Sequence, residues 1–578
     1  MTPVARALGA PLLLALVTLA GLALAAPPLS AQTPAADLVL LNGKVVTVDA
    51  QFSIREALAI RGTRILAVGT TDEIRRLVGP ATRVVDLGGR TVLPGLVDSH
   101  LHAIRTGLTY DLELPWVDVT SLAEGLERIR AAARRLPPGT WIRVAGGWHE
   151  SQFAEQRLPT RDELDRAAPD HPVWVQRLYE RVVLNSQALR ALGLGPGTPD
   201  PPRATVVRDA AGHPTGVVTG GFFAVQGLLA RLPRPTLEEQ IRSTRNWFRE
   251  LNRVGLTTIG DVAGGGLVWP DDYRAVEALH RRGELTVRVR WYMQPNRPGR
   301  EMEAIRQFIA AHPPGSGDDW MRPVGIGEQV TARTFDGDIA GATTTPPTFT
   351  PDALEEWRHV VRLIVESGWR FQVHTTRDAS ARQLLPAVEA LHRQQPLTDR
   401  RLAFAHLEDV SVETAERIKA LGGGITVQNR LIYAGEHVLR TFGPDVARRA
   451  PPLKTLLRLG VPLGGGTDAT RVAPYQPFWS LWWMVTGKTI AGVPIRAPEE
   501  NLTREEALRV YTLGSAWFSF DEGTLGSLEP GKLADLIVLS EDYLTVPEDR
   551  IRDIVSVLTL VDGKPVYGAG PFAALVAR

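Results

Sequence analysis

Hydrophobic and polar positions follow different rhythms along this chain. From Ala36 to Val92, short apolar runs alternate with the turn pairs Asn42-Gly43, Arg61-Gly62 and Gly88-Gly89, a pattern of short β-strands. The far end repeats it. LADLIVL (Leu533–Leu539) follows Pro530-Gly531, and VSVLTLV and VYG flank Asp562-Gly563, a type I′ hairpin signal. Two strand-rich ends around a long middle predict that the termini meet in one small β-domain.

The middle repeats another unit: an amphipathic helix, a glycine, then a short apolar strand. FRELNRVGLTTIGDV, LIVESGWRFQVHTT, ERIKALGGGITVQN and KTLLRLGVPLGGGTD all carry it. Glycine suits the left-handed position that ends a helix, and the following run is apolar enough for a strand covered on both faces. Such alternation over roughly 400 residues predicts an α/β fold closed as a (β/α)8 barrel. Residues from about Tyr110 to Thr236, rich in Pro and Gly, break the rhythm and read as an insertion after the first barrel strand. The expected division is 32–95 and 515–578 for the β-domain and 96–514 for the barrel, with the insertion at about 110–236.

A separate segment comes first. Arg6 precedes a charge-free run from Leu8 to Ala26, then Pro27-Pro28 and small residues ending Ser30-Ala31. Residues 1–31 read as a secretory signal peptide, cleaved after Ala25 or Ala31; an uncleaved anchor is the alternative. The expected mature protein is soluble and exported, periplasmic or secreted in a bacterium, without membrane contact. The full chain's 65 basic residues against 64 acidic ones give no electrostatic case for nucleic acid; a small-molecule substrate is the expected partner, and a homo-oligomer is left open. With no cysteine anywhere, disulfides, thiolate metal sites and Cys nucleophiles are excluded.

Catalytic groups of such barrels gather at the C-terminal ends of strands. Polar residues ending the expected strands are His100 and His102 in VLPGLVDSHLH, His374 in WRFQVH, His406 in RLAFAH, and Asp468 after VPLGGGT. Residues two apart on a strand share a face, so both imidazoles of His100 and His102 can reach one divalent ion. A carboxylate beside that ion, Asp468, can accept a proton from metal-activated water. His280, His312, His359 and His392 on or near helices, His171 at a strand start and His213 in a turn read as bystanders.

These residues and the stretches VLPGLVDSHLHA, GWHESQFAEQRLPTRDELDRAAPDHPV, VHTTRD, AHLEDV, GGGTDAT and EEALRVYTLGSAWFSFDEGTLGSLEPGKLADLIVLSEDYLTVP resemble the amidohydrolase superfamily. The resemblance is to the family 3 branch that includes N-substituted formamide deformylases. It implies a (β/α)8 barrel with a β-sandwich made from both chain ends. It also implies divalent metal, zinc foremost, one or two ions per chain, on His100, His102, His374 and His406. Asp468 would be the metal-linked general base, and metal-bound hydroxide would hydrolyse a C–N bond in an amide or N-formyl group.

Many relatives bridge two metals with a carboxylated lysine or a cysteine. Here there is no Cys, and no Lys stands between Lys44 and Lys419. A bridging carboxylate is therefore expected, with Glu328 in PVGIGEQV favoured and Glu180 in RLYERVVLNS second. Asp98, Arg430 and Trp482 are further candidates for the surroundings of the site. Arg430, with the cluster Trp479, Trp482 and Trp483, suggests an anionic group on the substrate; a surface Arg and core tryptophans are the alternative. A lactonase or esterase on the same site, and a binding protein that keeps the barrel without the chemistry, are the rival functions.

Overall fold

The computed structural model describes residues 35–295 and 298–576; the expected leader over 1–31 lies outside them. Among the described residues no helix is long and apolar enough to cross a membrane.

Eight parallel strands follow one another in chain order around the central sheet: β1 (Leu96–Leu101), β2 (Leu256–Asp261), β3 (Arg288–Met293), β4 (Met321–Glu328), β5 (Phe371–Thr375), β6 (Ala403–His406), β7 (Gly424–Gln428) and β8 (Leu463–Gly466). The connecting helices start and stop where their sequence says they should. Thr236 and Glu239 form a reciprocal cap at the head of helix Leu237–Arg253, whose apolar face carries Ile241, Trp247, Phe248 and Leu251 inward. Gly255, Gly368, Gly422 and Gly460 all take positive φ just past their helices and turn the chain into the next strand.

Closure brings β8 beside β1. The Asp468 amide donates to the His100 carbonyl at 2.8 Å, and the Ser99 hydroxyl donates to the Gly465 carbonyl at 2.9 Å. The run Gly464-Gly465-Gly466 makes this approach feasible. A Cβ on Gly466 would stand 2.8 Å from the His100 nitrogen, and one on Gly465 2.6 Å from the Tyr511 ring. Asp98 fastens the same seam: its carboxylate accepts from the His100 amide at 2.9 Å, the Thr467 hydroxyl at 2.8 Å and the Tyr511 hydroxyl at 3.0 Å.

Both chain ends build a β-sandwich, as expected. One sheet orders Arg64–Gly69, Ala57–Arg61, Leu38–Leu41 and Arg83–Asp86; the other orders Lys564–Gly568, Ser556–Val561, Leu536–Leu539, Thr91–Pro94, Lys44–Val46 and Ile54–Arg55. Leu93 pairs with Ile537, which joins the two ends. Leu40, Leu58 and Ile60 pack against Val92, Val538 and Leu560 between the sheets. Asp562 and Gly563 both have positive φ, as a type I′ turn requires. Arg288 on β3 ties sandwich to barrel through a buried ion pair with Asp535 at 2.7 Å.

The insertion is more regular than its sequence suggests. It holds a five-stranded sheet, ordered Thr205–Arg208, Pro214–Thr219, Arg181–Leu184, Val173–Arg177 and Ile142–Val144. Its two faces have separate cores, one around Trp116, Trp148 and Phe153, the other around Trp174, Val182 and Leu228.

Gly466→Ala is expected to cost about 1–3 kcal/mol, because the new methyl meets backbone at the β1–β8 seam. A lowered thermal-unfolding midpoint checks this; an unchanged midpoint would contradict the closure contact.

Candidate metal centre

Six side chains meet at the C-terminal mouth of the barrel. His100 lies in β1 with His102 just beyond it; Glu328 ends β4, His374 lies in β5, His406 ends β6, and Asp468 stands two residues past β8. All six are buried. His406 and Asp468 are non-glycine residues in the left-handed region, at φ 77° and 60°. Such conformations persist only where surroundings impose them, and here the Leu407 and Asp468 amides are held by the Thr375 and His100 carbonyls.

Glu328 stands between the imidazoles. One carboxylate oxygen lies 3.5 Å from His102 Nε2; the other lies 2.9 Å from His374 Nδ1, 3.4 Å from His406 Nε2 and 3.6 Å from His100 Nε2. Asp468 Oδ1 is 2.8 Å from His102 Nε2 and 3.5 Å from His100 Nε2. Two ligand groups, His100–His102–Asp468 and His100–Glu328–His406, each keep their donor atoms within 4.8 Å of one another.

The far nitrogen of every imidazole is tethered. Nδ1 of His100 meets Gln372 Oε1 at 2.6 Å, Nδ1 of His102 the Ala263 carbonyl at 3.1 Å, and Nδ1 of His406 Gln428 Oε1 at 2.6 Å. His374 is turned the other way, with Nε2 on the Gly337 carbonyl at 2.9 Å. Those partners are acceptors, so the tethered nitrogen carries the hydrogen and the other presents a lone pair inward. His100 Nε2 is buried without any hydrogen-bond partner, and His406 Nε2 faces His374 Nδ1 at 2.9 Å. Lone pairs and carboxylates crowded together call for protons or cations between them, and the donor set fits divalent metal.

Electrostatics of the metal-free cluster express the same demand. Burial pushes the Glu328 carboxyl up, yet the imidazoles of His374, His406 and His102 hold it well below the usual carboxylate range. Asp468 is held low in the same way, burial being outweighed by His100 and His102. Burial opposes a proton on His374, but Glu328 raises it to about 9. His406 falls well below the ordinary imidazole value through burial and the charges of Arg430 and His374.

The other candidates stand differently. Burial raises Asp98 to about 6, and its oxygens serve the β1–β8 seam. Glu180 pairs with Arg177, which also holds Glu150 at 2.8 Å and meets His149 Nε2 at 2.5 Å, so Glu328 alone of the two carboxylates stands among the histidines. Arg430 is neither a surface residue nor a free cation. It is buried, donates to Glu408 Oε1 at 2.8 Å, and lies 3.6 Å from Asp468 Oδ2. Its charge is answered within the protein, which removes the reason to expect a substrate anion there.

Trp482 also needs correction. Trp479, Trp482 and Trp483 share one face of helix Pro477–Thr486 by their three- and four-residue spacing. Arg552 lies over Trp479 and Trp482, and the Trp482 indole N–H donates to Asp549 at 3.4 Å. That side chain therefore packs against the segment Glu548–Asp553 and does not line the site.

Sequence reasoning missed an aromatic series at the mouth. The Phe335 ring lies 4.5 Å from His374, Phe222 lies 5.1 Å from Phe335, and Tyr179 lies 4.8 Å from Phe222. Tyr179 and Phe222 come from the insertion, so that sheet helps to cover the mouth. The Tyr179 hydroxyl is buried without a partner, and burial raises it while Asp468 and Glu328 act on it electrostatically. Tyr179 stands next to Glu180 in the sequence, but nothing local marks it as the inward residue of the two.

Comparison with known proteins agrees with this geometry. The amidohydrolase family model matches residues 83–567. N-substituted formamide deformylase of Arthrobacter pascens is 28% identical over 91% of this chain and 97% of its own. The putative amidohydrolase YtcJ of Bacillus subtilis is 26% identical over 89% of this chain and 96% of its own. A crystal structure of an uncharacterised metal-dependent hydrolase from Pyrococcus furiosus superposes with TM-score 0.64 at 25% identity, covering 88% of this chain and all of that one. With its barrel, its buried histidine–carboxylate cluster and a match along most of its length, the chain belongs to the amidohydrolase family, metal-dependent hydrolases of carbon–nitrogen bonds other than peptide bonds.

Proposed function

We propose that this chain is a zinc-dependent hydrolase of small N-formyl or other amide compounds, with Asp468 as general base. The observation that carries the reading is the donor set, four tethered imidazoles turned inward on two carboxylates. Imidazole and carboxylate together suit zinc among divalent ions. The likeness to N-substituted formamide deformylase along nearly both whole chains supports the N-formyl class.

His100, His102, Glu328, His374, His406 and Asp468 would hold the metal, one or two ions per chain. Zinc, when bound, supplies Lewis acidity that polarises a carbonyl and activates water at neutral pH. Asp468 takes the proton from the attacking water and returns it to the departing nitrogen. Its Oδ2 is the atom for that transfer, since Oδ1 lies against His102 while Oδ2 faces Arg430 at 3.6 Å. Arg430 faces this carboxylate, and Glu408 fixes Arg430 from behind. Phe335, Phe222 and Tyr179 exclude bulk water from the approach.

Two outcomes follow. Against a panel of formamides and lactones, the protein is expected to prefer formamides, and Asp468→Asn to lower their kcat by about 10²–10⁴-fold with zinc still bound. Preference for lactones, or turnover retained by Asp468→Asn, would contradict the reading.

The second outcome concerns pH. In the metal-free protein His374 stays protonated up to about pH 9, and zinc must displace that proton. Zinc affinity should therefore rise with pH between 7 and 9, with proton release at pH 7. Calorimetric titration in buffers of different ionisation heat measures this; no proton release at pH 7 would contradict it.

A further inference from the structure

The sequence suggests a substrate anion at Arg430 as one of two readings, but the structure leaves a different guanidinium without an answer. Arg105 lies one turn beyond His102, in the short helix Ala103–Gly107, and is only 7% exposed. Among the described residues it has no hydrogen-bond or ion-pair partner, and its Nε is fully buried. It lies beside His102 in space left by Gly264 in the loop after β2. An added Cβ there would meet both Arg105 Nη1 at 2.8 Å and His102 Nδ1 at 2.6 Å.

The nearby carboxylate does not pair with it directly. Asp261 is the carboxylate acting on Arg105, yet its two oxygens accept from the Ile104 and Ala263 amides at 2.7 and 2.8 Å. Arg471, from the loop after β8, adds a second buried positive charge; it donates to Gln176 Oε1 at 3.2 Å and lies 3.6 Å from Glu113. The Tyr179 hydroxyl, also without a partner, is within electrostatic reach of both arginines and of Asp468 and Glu328.

The carboxylates of the metal centre do not fill the gap. With four neutral imidazoles, Glu328 and Asp468 carry two negative charges, which one divalent ion cancels and two overturn. A guanidinium buried without a direct partner is costly, so in the metal-loaded protein Arg105 is open to an anion from outside the chain. We propose that Arg105, assisted by Arg471 and the Tyr179 hydroxyl, is a binding site for a carboxylate on the substrate. The substrate class is then an N-acylated amino acid, its acyl carbon at the metals and its carboxylate on the guanidinium. This rests on the C–N hydrolase reading above and adds the identity of the substrate's second handle.

The test compares N-formylphenylalanine, in both enantiomers, with N-formylphenethylamine, which differs only in lacking the carboxylate. On the zinc-loaded full chain, kcat/KM for one enantiomer is expected to exceed that for the neutral twin by about 10- to 100-fold, the worth of a charge-assisted buried pair. Arg105→Gln should collapse this ratio, while Arg105→Lys, which keeps the charge but not the fork, should retain part of it. Zinc content and unfolding midpoint of each variant identify any that fails to fold, and Tyr179→Phe, which removes only a hydroxyl, then provides a second reduction of the same ratio. Equal kcat/KM for the twins, or a ratio that survives Arg105→Gln, would overturn the carboxylate assignment while leaving C–N hydrolysis intact. If neither twin is hydrolysed, calorimetric binding decides separately: tighter binding of the carboxylate twin, lost in Arg105→Gln, supports the site, and equal binding overturns it. Acetate should compete with N-formylphenylalanine. If acetate instead activates turnover of the neutral twin, Arg105 holds a free anion and the assignment fails.

Discussion

Six electron-pair donors confined in a buried space, without hydrogens of their own to place between them, are the constraint on which this structure turns. Such a cluster is unstable unless cations or protons enter it, and much of the barrel mouth is arranged to keep it in being. Gln372, Gln428 and the Ala263 and Gly337 carbonyls each take one imidazole hydrogen and so commit the other nitrogen inward. His406 and Asp468 stay in the left-handed region, held by cross-strand backbone bonds. The glycines of β8 let it sit against β1, which brings Asp468 to His102.

Charge balance then separates the arginines at the mouth. Arg430 is answered within the protein, pinned by Glu408 and 3.6 Å from Asp468. Arg105 is also buried but is paired with nothing among the described residues. Two guanidiniums of similar burial thus have opposite meanings, and the partner distances make the difference.

The periodic parts of the fold were legible in the sequence because they depend on local rules. Alternating helix, glycine and apolar strand announce the barrel, and His100, His102, His374, His406 and Asp468 stand out as polar residues ending apolar strands. Glu328 was reachable only through the family resemblance and the missing Lys and Cys. The insertion's sheet was not legible, since Ile142–Val144 finds its partner about thirty residues away in Val173–Arg177. The roles of Arg430, Trp482 and Arg105 were hidden for a related reason. Whether a charge is answered, or which helix face meets which segment, is settled by contacts far apart in the chain, from 67 residues for Trp482 with Asp549 to 413 for Tyr511 with Asp98.

The most direct test of the central claim is the metal content per chain, by elemental analysis of protein purified without chelator and supplied with zinc. A cluster of four inward imidazoles bridged by Glu328 predicts two ions per chain. Protein that folds normally yet binds no zinc would contradict the account, because protons alone would then balance those lone pairs and carboxylates.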